Sequence, residues 1–319
     1  MAALETAKLL PDAGGYIRAS AILAEGGLVA FPTETVYGLG GDARNDMAVA
    51  RIFEAKGRPR FNPLIVHVDS VETAKRYVEW SETADRVASA FWPGPLTMVL
   101  PIRHDTGLSP LVTAELPTLA IRVPEHPVAR ALLAEFDGPV AAPSANPSGK
   151  ISPTTAEHVD KGLSGRIDAI LDGGACGVGL ESTILGLAGT PALLRPGGLP
   201  VEALEQALGA ELAIHQSGDP LTAPGQMTSH YAPGASIRLN ATTLNAGEML
   251  LGFGPVEPVE ATMNLSPAGD LTEAAANLFH HLHAMDALGP ETIAVSPIPD
   301  HGLGRAINDR LRRAAAPRP

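Results

Sequence analysis

Residues 56–68 read KGRPRFNPLIVHV: a helix end, a turn and a strand in succession. Asn45 or Asp46 can cap a helix that runs through Ala55, and Gly57 with Pro59 terminates it. The run Leu64-Ile65-Val66-His67-Val68 that follows is short, apolar and rich in β-branched residues, as a buried strand is. Outward from this stretch the same alternation repeats. Upstream, Gly15 to Glu25 reads as an amphipathic helix ended by Gly26-Gly27, and Leu28 to Phe31 as a strand. Downstream, apolar runs lie at Leu96 to Leu100, Leu119 to Val123, Val140 to Ala142, Ala169 to Leu171, Thr183 to Leu187 and Ala192 to Leu194. Helical patterns near Thr83 to Phe91, Pro127 to Phe136 and Thr155 to Lys161 separate some of them. This is an α/β pattern. Helices do not fall between every pair of strands, so the sheet is expected to be a mixed, twisted open one rather than regularly doubly wound.

Around His215 the pattern dissolves into the turn formers QSGDPLTAPG, residues 216–225, which read as a linker. Beyond it, strands at Ser236 to Leu239, Met249 to Phe253 and Thr292 to Val295 and helices at Leu271 to Leu288 and Arg305 to Ala315 predict a second, smaller α/β unit. The expected organisation is therefore residues 12–212, a linker over 213–234, and a second domain over 235–319.

Composition narrows the classes of function. The chain has 319 residues, 45% of them hydrophobic, enough for a sizeable core. Its formal net charge of -12 argues against non-specific nucleic-acid binding by the whole surface, yet leaves room for a local basic patch. Cys176 is the only cysteine and has no partner for an intramolecular disulfide, which fits a reducing compartment. The first ten residues lack a signal-peptide core, and no stretch is long and apolar enough to span a bilayer, so a cytoplasmic location without membrane attachment is expected.

Against that acidic background, Lys56, Arg58 and Arg60 crowd three cations into five residues beside a buried strand. Arg offers a planar fork for phosphate oxygens and Lys a point charge, so together they suit a bound polyphosphate. The plainer alternative is a set of solvated cations at a helix C-terminus, where the dipole favours them. Other polar segments sit where strands end. In FPTETVYGLG, residues 31–40, proline interrupts an emerging strand, which should put Thr33, Glu34 and Thr35 at the sheet's rim. PSANPSG, residues 143–149, places small hydroxyls and an amide after a strand, an arrangement that lets a ligand approach backbone N–H groups. The segments Gly173-Gly174 to Gly179, Glu181-Ser182-Thr183 and Leu194-Arg195-Pro196-Gly197-Gly198 add further strand-end polarity. Each alone is compatible with an ordinary turn; several together favour one cleft. No Walker P-loop, no Gly-x-Ser-x-Gly elbow and no zinc-ligand spacing occurs.

Taken together these segments resemble the YrdC/Sua5 family in its long, two-domain Sua5 form. The shared text is FPTETVYGLG from Phe31, IFEAKGRP from Ile52, NPLIVHV from Asn62, FWPGPLT from Phe91, AIRVP from Ala120, APSAN and SGK from Ala142, ESTI from Glu181 and LLRPGG from Leu193. Ala223-Pro224-Gly225 and Ser229-His230-Tyr231-Ala232-Pro233 are similar to the family's linker, which there folds over the active site.

The resemblance implies a YrdC-like twisted sheet with a concave cationic cavity, followed by a Rossmann-like C-terminal domain. It also implies a reaction: L-threonine, bicarbonate and ATP give threonylcarbamoyl-adenylate and pyrophosphate, for the t6A modification at position 37 of tRNA. By motif, Lys56 and Arg58 would be catalytic. They would bind ATP with Asn62, Thr118, Ser144, Asn146, Ser152, Arg195 and Tyr231, while Thr35, His67, Arg122, Ala142 and Ser182 would surround threonine. ATP would bring Mg2+, with no tightly bound cofactor. The partner implied downstream is a threonylcarbamoyl-transferase machinery acting on tRNA. Two alternatives share the anion-binding residues: an RNA-binding, translation-related module, and a carbamoyl transferase that needs no ATP. Few aromatics and a local rather than extended basic patch disfavour the RNA module. Taken as an exposed cation, Lys56 contributes little to folding, so Lys56→Ala is expected to slow turnover by orders of magnitude while leaving stability nearly unchanged.

Overall fold

The structure, a computed structural model, describes residues 4–214, 230–256 and 260–317; most of the segment read as a linker lies outside the described residues. The first unit runs β1 (Ala7–Leu9), α1 (Ala13–Ala24), β2 (Val29–Pro32), β3 (Tyr37–Asp42), α2 (Asp46–Lys56), β4 (Ile65–His67), α3 (Val71–Ala74), α4 (Glu82–Phe91), β5 (Leu96–Pro101) and α5 (Pro110–Thr113). It continues through β6 (Thr118–Arg122), α6 (Pro127–Phe136), β7 (Val140–Ala141), α7 (Ala156–Leu163), β8 (Ala169–Leu171), β9 (Thr183–Gly186), β10 (Ala192–Arg195), α8 (Val201–Leu208) and β11 (Ala213–Ile214). The second unit runs β12 (Ser236–Arg238), β13 (Glu248–Gly252), β14 (Met263–Asn264), α9 (Leu271–Leu288), β15 (Thr292–Val295) and α10 (Leu303–Ala315).

Among the described residues, the first unit's strands form one eleven-stranded sheet in the order β1-β8-β2-β3-β7-β4-β6-β5-β9-β10-β11. It is mixed, as expected: β4 and β6 run parallel, while β7 lies antiparallel to β4 and β5 antiparallel to β6. The second sheet, β12-β15-β13-β14, is parallel throughout. One local expectation needs correcting. The chain after Pro32 does leave the sheet, but only for the turn Thr33 to Val36; it then returns as β3, paired antiparallel with β2. The strand was hidden because Gly38, Gly40 and Gly41 supply no side chains to make an apolar alternation.

The period of two along β4 divides the structure. Leu64, Val66 and Val68 enter the main core with Leu39, Ile52, Phe53, Met98 and Ile121. The intervening Ile65 packs on the other face with Val99, Ala120 and Ile184, and His67 shares its parity. The register pairs His67 with Arg122. One sheet face is therefore backed by α2, while the other is covered by α1 and α6 over Val29, Phe31, Val140 and Leu171 and carries polar side chains such as His67 and Arg122 beside them. α2 holds to the backed face through Ala48, Val49, Ile52 and Phe53, spaced for one side of a helix, and Asn45 caps it by accepting from the backbone N–H groups of Met47 and Ala48.

The second unit is not a tethered appendage. Val36, Ile151 and Leu180 of the first unit share an apolar cluster with Tyr231 and with Phe279, Leu282 and Leu311 of the second. Beside it, α7 meets α9 through histidines: the rings of His158 and His283 stack at 3.9 Å, and His280 lies 5.6 Å from His158. Burial, followed by the neighbouring His283, His280 and Lys161, holds His158 at a pKa of about 3, and burial holds His283 at about 4. Both sit below the unfolded value of about 6.5. The unfolded chain therefore binds more protons between those limits, so the stabilisation is fully present above pH 6.5 and is lost progressively as pH falls toward 3. Thermal unfolding should move to lower temperature across that window, and the double variant His158→Gln/His283→Gln should flatten the slope. An unchanged slope in the variant would remove these two rings from the account.

Candidate functional site

On the polar face, a cleft is walled by the β2–β3 turn, the middle strands and Tyr231. Thr33, Thr35, Arg58, Ile65, His67, Arg122, Ala142, Ser144, Glu181, Ser182, Arg195, His230 and Tyr231 line it.

The cationic end begins at the C-terminus of α2. Gly57 takes a left-handed conformation (φ 60°), which ends the helix and turns the chain between Lys56 and Arg58. Both cations are buried, at 3% and 9% exposure, so Lys56 is not the solvated side chain that the sequence suggested. Its ammonium donates to the carbonyls of Ser144 and Asn146, each at 2.5 Å. Burial, and then the charge of Arg58, lowers its pKa well below the usual lysine value. Arg58 donates through Nε to the Asn62 carbonyl and through Nη2 to the Pro63 carbonyl at 2.9 Å. Burial brings its pKa down to about 10. Arg195, at 5% exposure, donates to the Ser182 carbonyl at 2.8 Å. The turn after its strand lies close against the chain before β9: a Cβ on Gly197 would stand 2.3 Å from the Glu181 carbonyl oxygen. These guanidinium and ammonium groups are held by carbonyl dipoles more than by carboxylates, which leaves their charge available to an anion.

The other end is built round Arg122. Its Nε donates to the Gly94 carbonyl at 3.1 Å, Nη1 to Thr35 Oγ1 at 2.9 Å, and Nη2 to Glu34 at 2.5 Å. Three partners fix the guanidinium and leave one N–H on each terminal nitrogen. Thr33 donates its single hydroxyl proton to the Val36 carbonyl, so Thr35 donates to Thr33 Oγ1 at 2.7 Å and accepts from Arg122. His67 stands edge-on to Phe31, with its Nδ1 buried and without a hydrogen-bond partner. Burial, then Arg122, lowers its pKa to about 3, so the ring is neutral.

Of the residues singled out from sequence, Thr35, Arg58, His67, Arg122, Ala142, Ser144, Ser182, Arg195 and Tyr231 line this cleft. Lys56 and Asn62 stand directly behind it, and the Asn146 amide is tied to the carbonyls of Pro147 and Lys150. Ser152 is fully buried and reaches the cleft through Glu181, to which it donates at 2.5 Å. Thr118 opens β6, at the opposite end of that strand from Arg122, and does not line the cleft. Arg60 is exposed. Glu34, Glu181 and His230 were missed as site residues; the first two lay inside motifs already noted, and His230 lies beside Tyr231. Among the described residues no cluster of His, Cys, Asp and Glu side chains is arranged to hold a metal ion, and no helix is long and apolar enough to cross a membrane.

Two family models cover almost the whole chain: Sua5_yciO_yrdC, described as "Telomere recombination", matches residues 21–197, and "Threonylcarbamoyl-AMP synthase, C-terminal domain" matches residues 199–316. The threonylcarbamoyl-AMP synthase of Pyrococcus abyssi is 42% identical over 328 residues, spanning 95% of this chain and 93% of that protein. That of Bacillus subtilis is 41% identical over 94% of this chain and 93% of its own length. A crystal structure of P. abyssi Sua5 complexed with L-threonine superposes with a TM-score of 0.89 at 39% identity, covering 97% of both chains. The chain belongs to the YrdC/Sua5 family, in its two-domain form.

Because Lys56 is buried, its truncation has a structural cost as well. Lys56→Ala strands the buried Asn146 carbonyl and the half-buried Ser144 carbonyl, so it should lower unfolding free energy by about 1–3 kcal/mol. Chemical denaturation measures this directly, and a change within error would contradict the buried placement.

Proposed function

We propose that this protein is an L-threonylcarbamoyladenylate synthase, which condenses L-threonine, bicarbonate and ATP. The observation that carries the reading is the division of one cleft into two chemistries. Buried Lys56, Arg58 and Arg195 stand at one end, and the Thr35–Arg122–His67 group stands at the other. The first suits a triphosphate and the second an amino acid, in a protein of this family.

In this reading threonine's carboxylate takes the two free N–H groups of Arg122, which Glu34, Thr35 and Gly94 hold in place. His67, neutral and with Nδ1 unpartnered, accepts a hydrogen bond from the amine side of the substrate. At so low a pKa it orients the amine rather than storing its proton. The threonine ammonium and bicarbonate give the carbamate, water and a proton. A carbamate oxygen then attacks the α-phosphorus of ATP, the bond to the β-phosphate bridging oxygen breaks, and pyrophosphate leaves. No protein nucleophile is required, because the step depends on alignment and charge neutralisation. Lys56, Arg58 and Arg195 neutralise the charge that builds on the phosphates, and Ser144, Ser182 and Tyr231 bound the space between the substrates. Asn62, Asn146 and Ser152 hold this wall from behind, and the Ala142 backbone closes the threonine end. Thr118 is assigned to the nucleotide by motif alone. Mg2+ enters as part of the ATP substrate, since the cleft offers cations and hydroxyls rather than a carboxylate cage.

The product is a mixed anhydride, so a carbamoyl-transfer machinery acting on tRNA must consume it. A cytoplasmic location fits that partnership. Incubation with ATP, threonine and bicarbonate should yield threonylcarbamoyl-adenylate and pyrophosphate by mass spectrometry, and omitting any one substrate should abolish both. Folded protein that makes neither in the presence of Mg2+ would sink the reading.

A further inference from the structure

Arg310 lies in α10 of the second unit, 129 positions from Glu181, yet it is completely buried against the first unit's cleft. Its Nε donates to Glu181 Oε2 at 2.8 Å, its Nη1 reaches Asp309 at 2.7 Å, and its guanidinium carbon stands 5.2 Å from the centre of the Tyr231 ring. Glu181 is itself a wall of the cleft, and its other oxygen accepts from Ser152 at 2.5 Å. A carboxylate there is unexpected in a site lined by Arg58, Arg122 and Arg195, since a free negative charge would repel the phosphates those arginines attract.

We propose that Arg310 is a positioning residue through which the second unit makes the cleft competent for ATP: it neutralises Glu181 and fixes that carboxylate against Ser152, with Tyr231 packed on its guanidinium. The proposal rests on the reading of the cleft as an ATP site. Burial would by itself push the Glu181 carboxyl up, but Arg310 first and Arg195 next hold it at about 2, so the charge that must be countered is permanent at neutral pH. The arrangement couples the two units chemically. Arg310 touches two groups of the cleft wall at once, so docking of α10 determines both the charge and the shape of the nucleotide end. Round Arg122 and Thr35, the described hydrogen bonds of the guanidinium all go to the first unit, and among the described residues the second unit touches that end only by apolar packing on Val36.

The test compares wild type with Arg310→Met, Arg310→Lys, Glu181→Gln and the double variant Glu181→Gln/Arg310→Met, with KM for ATP and for threonine measured separately. Wild-type activity that requires ATP establishes the underlying reading before any variant is compared; its absence would fail that reading rather than the role of Arg310. Arg310→Met should raise KM for ATP by roughly 30-fold or more, as expected when one partner of a buried charge pair is removed. KM for threonine should change much less, and Arg310→Lys should fall between wild type and Arg310→Met. The double variant should recover most of the lost ATP affinity, because without the carboxylate no countercharge is needed. If Arg310→Met does not fold, the double variant carries the test, since replacing both members of a buried pair is better tolerated than breaking it. Its KM for ATP should then stay close to that of wild type. Equal rises in both KM values, a loss of stability with both KM values unchanged, or a double variant no better than Arg310→Met would each overturn the proposal.

Discussion

The desolvation of like charges is the constraint on which the rest of the structure depends. Lys56, Arg58, Arg122 and Arg195 are all less than a tenth exposed; the three arginines line one cleft and Lys56 stands directly behind it. Taking charged groups out of water costs several kcal/mol each unless dipoles or counter-ions replace the lost hydration. The fold provides those dipoles from backbone. The segment from Ser144 to Asn146 turns its carbonyls onto Lys56, the Asn62–Pro63 segment does so for Arg58, and Ser182 does so for Arg195. Among the described residues, the carboxylates that enter are those of Glu34 and Glu181, and each is matched to an arginine. The result is a pre-organised positive region whose charge is only partly compensated until an anion arrives, the condition under which electrostatic catalysis is most effective.

That requirement explains the two-unit design. A cleft of partly compensated cations cannot be walled by flexible loops alone, because water would enter and screen it. Here the wall at Tyr231 rests on a shared apolar cluster that includes Phe279 and Leu282, and the tyrosine ring stacks 5.6 Å from Phe279. Burial then pushes the Tyr231 hydroxyl and its neighbour His230 toward their neutral forms, so the wall adds no charge of its own.

Much of this was legible in the sequence, for identifiable reasons. Long apolar runs such as Leu96 to Leu100 and helices with clear ends such as Asp46–Lys56 declare themselves through periodicity and capping. Strand β3 did not, because glycine carries no hydrophobic signal. The burial of Lys56 did not either, because a lysine after a helix looks solvated until the chain that folds over it is known. Arg310 was invisible for a deeper reason. It sits on a helix with Arg305, Arg312 and Arg313, and only the docking of that helix on Glu181 distinguishes it from its neighbours. Pairings between distant segments leave no local pattern, so the long-range charge network had to be seen in three dimensions.

The central claim is that the buried cations exist for the phosphates of a nucleotide. Isothermal calorimetry with ATP, AMP and adenosine, at low and high salt, tests it most directly. Affinity should fall steeply from ATP to AMP to adenosine, and the ATP affinity should weaken as salt rises. Adenosine binding as tightly as ATP, with no dependence on salt, would contradict it.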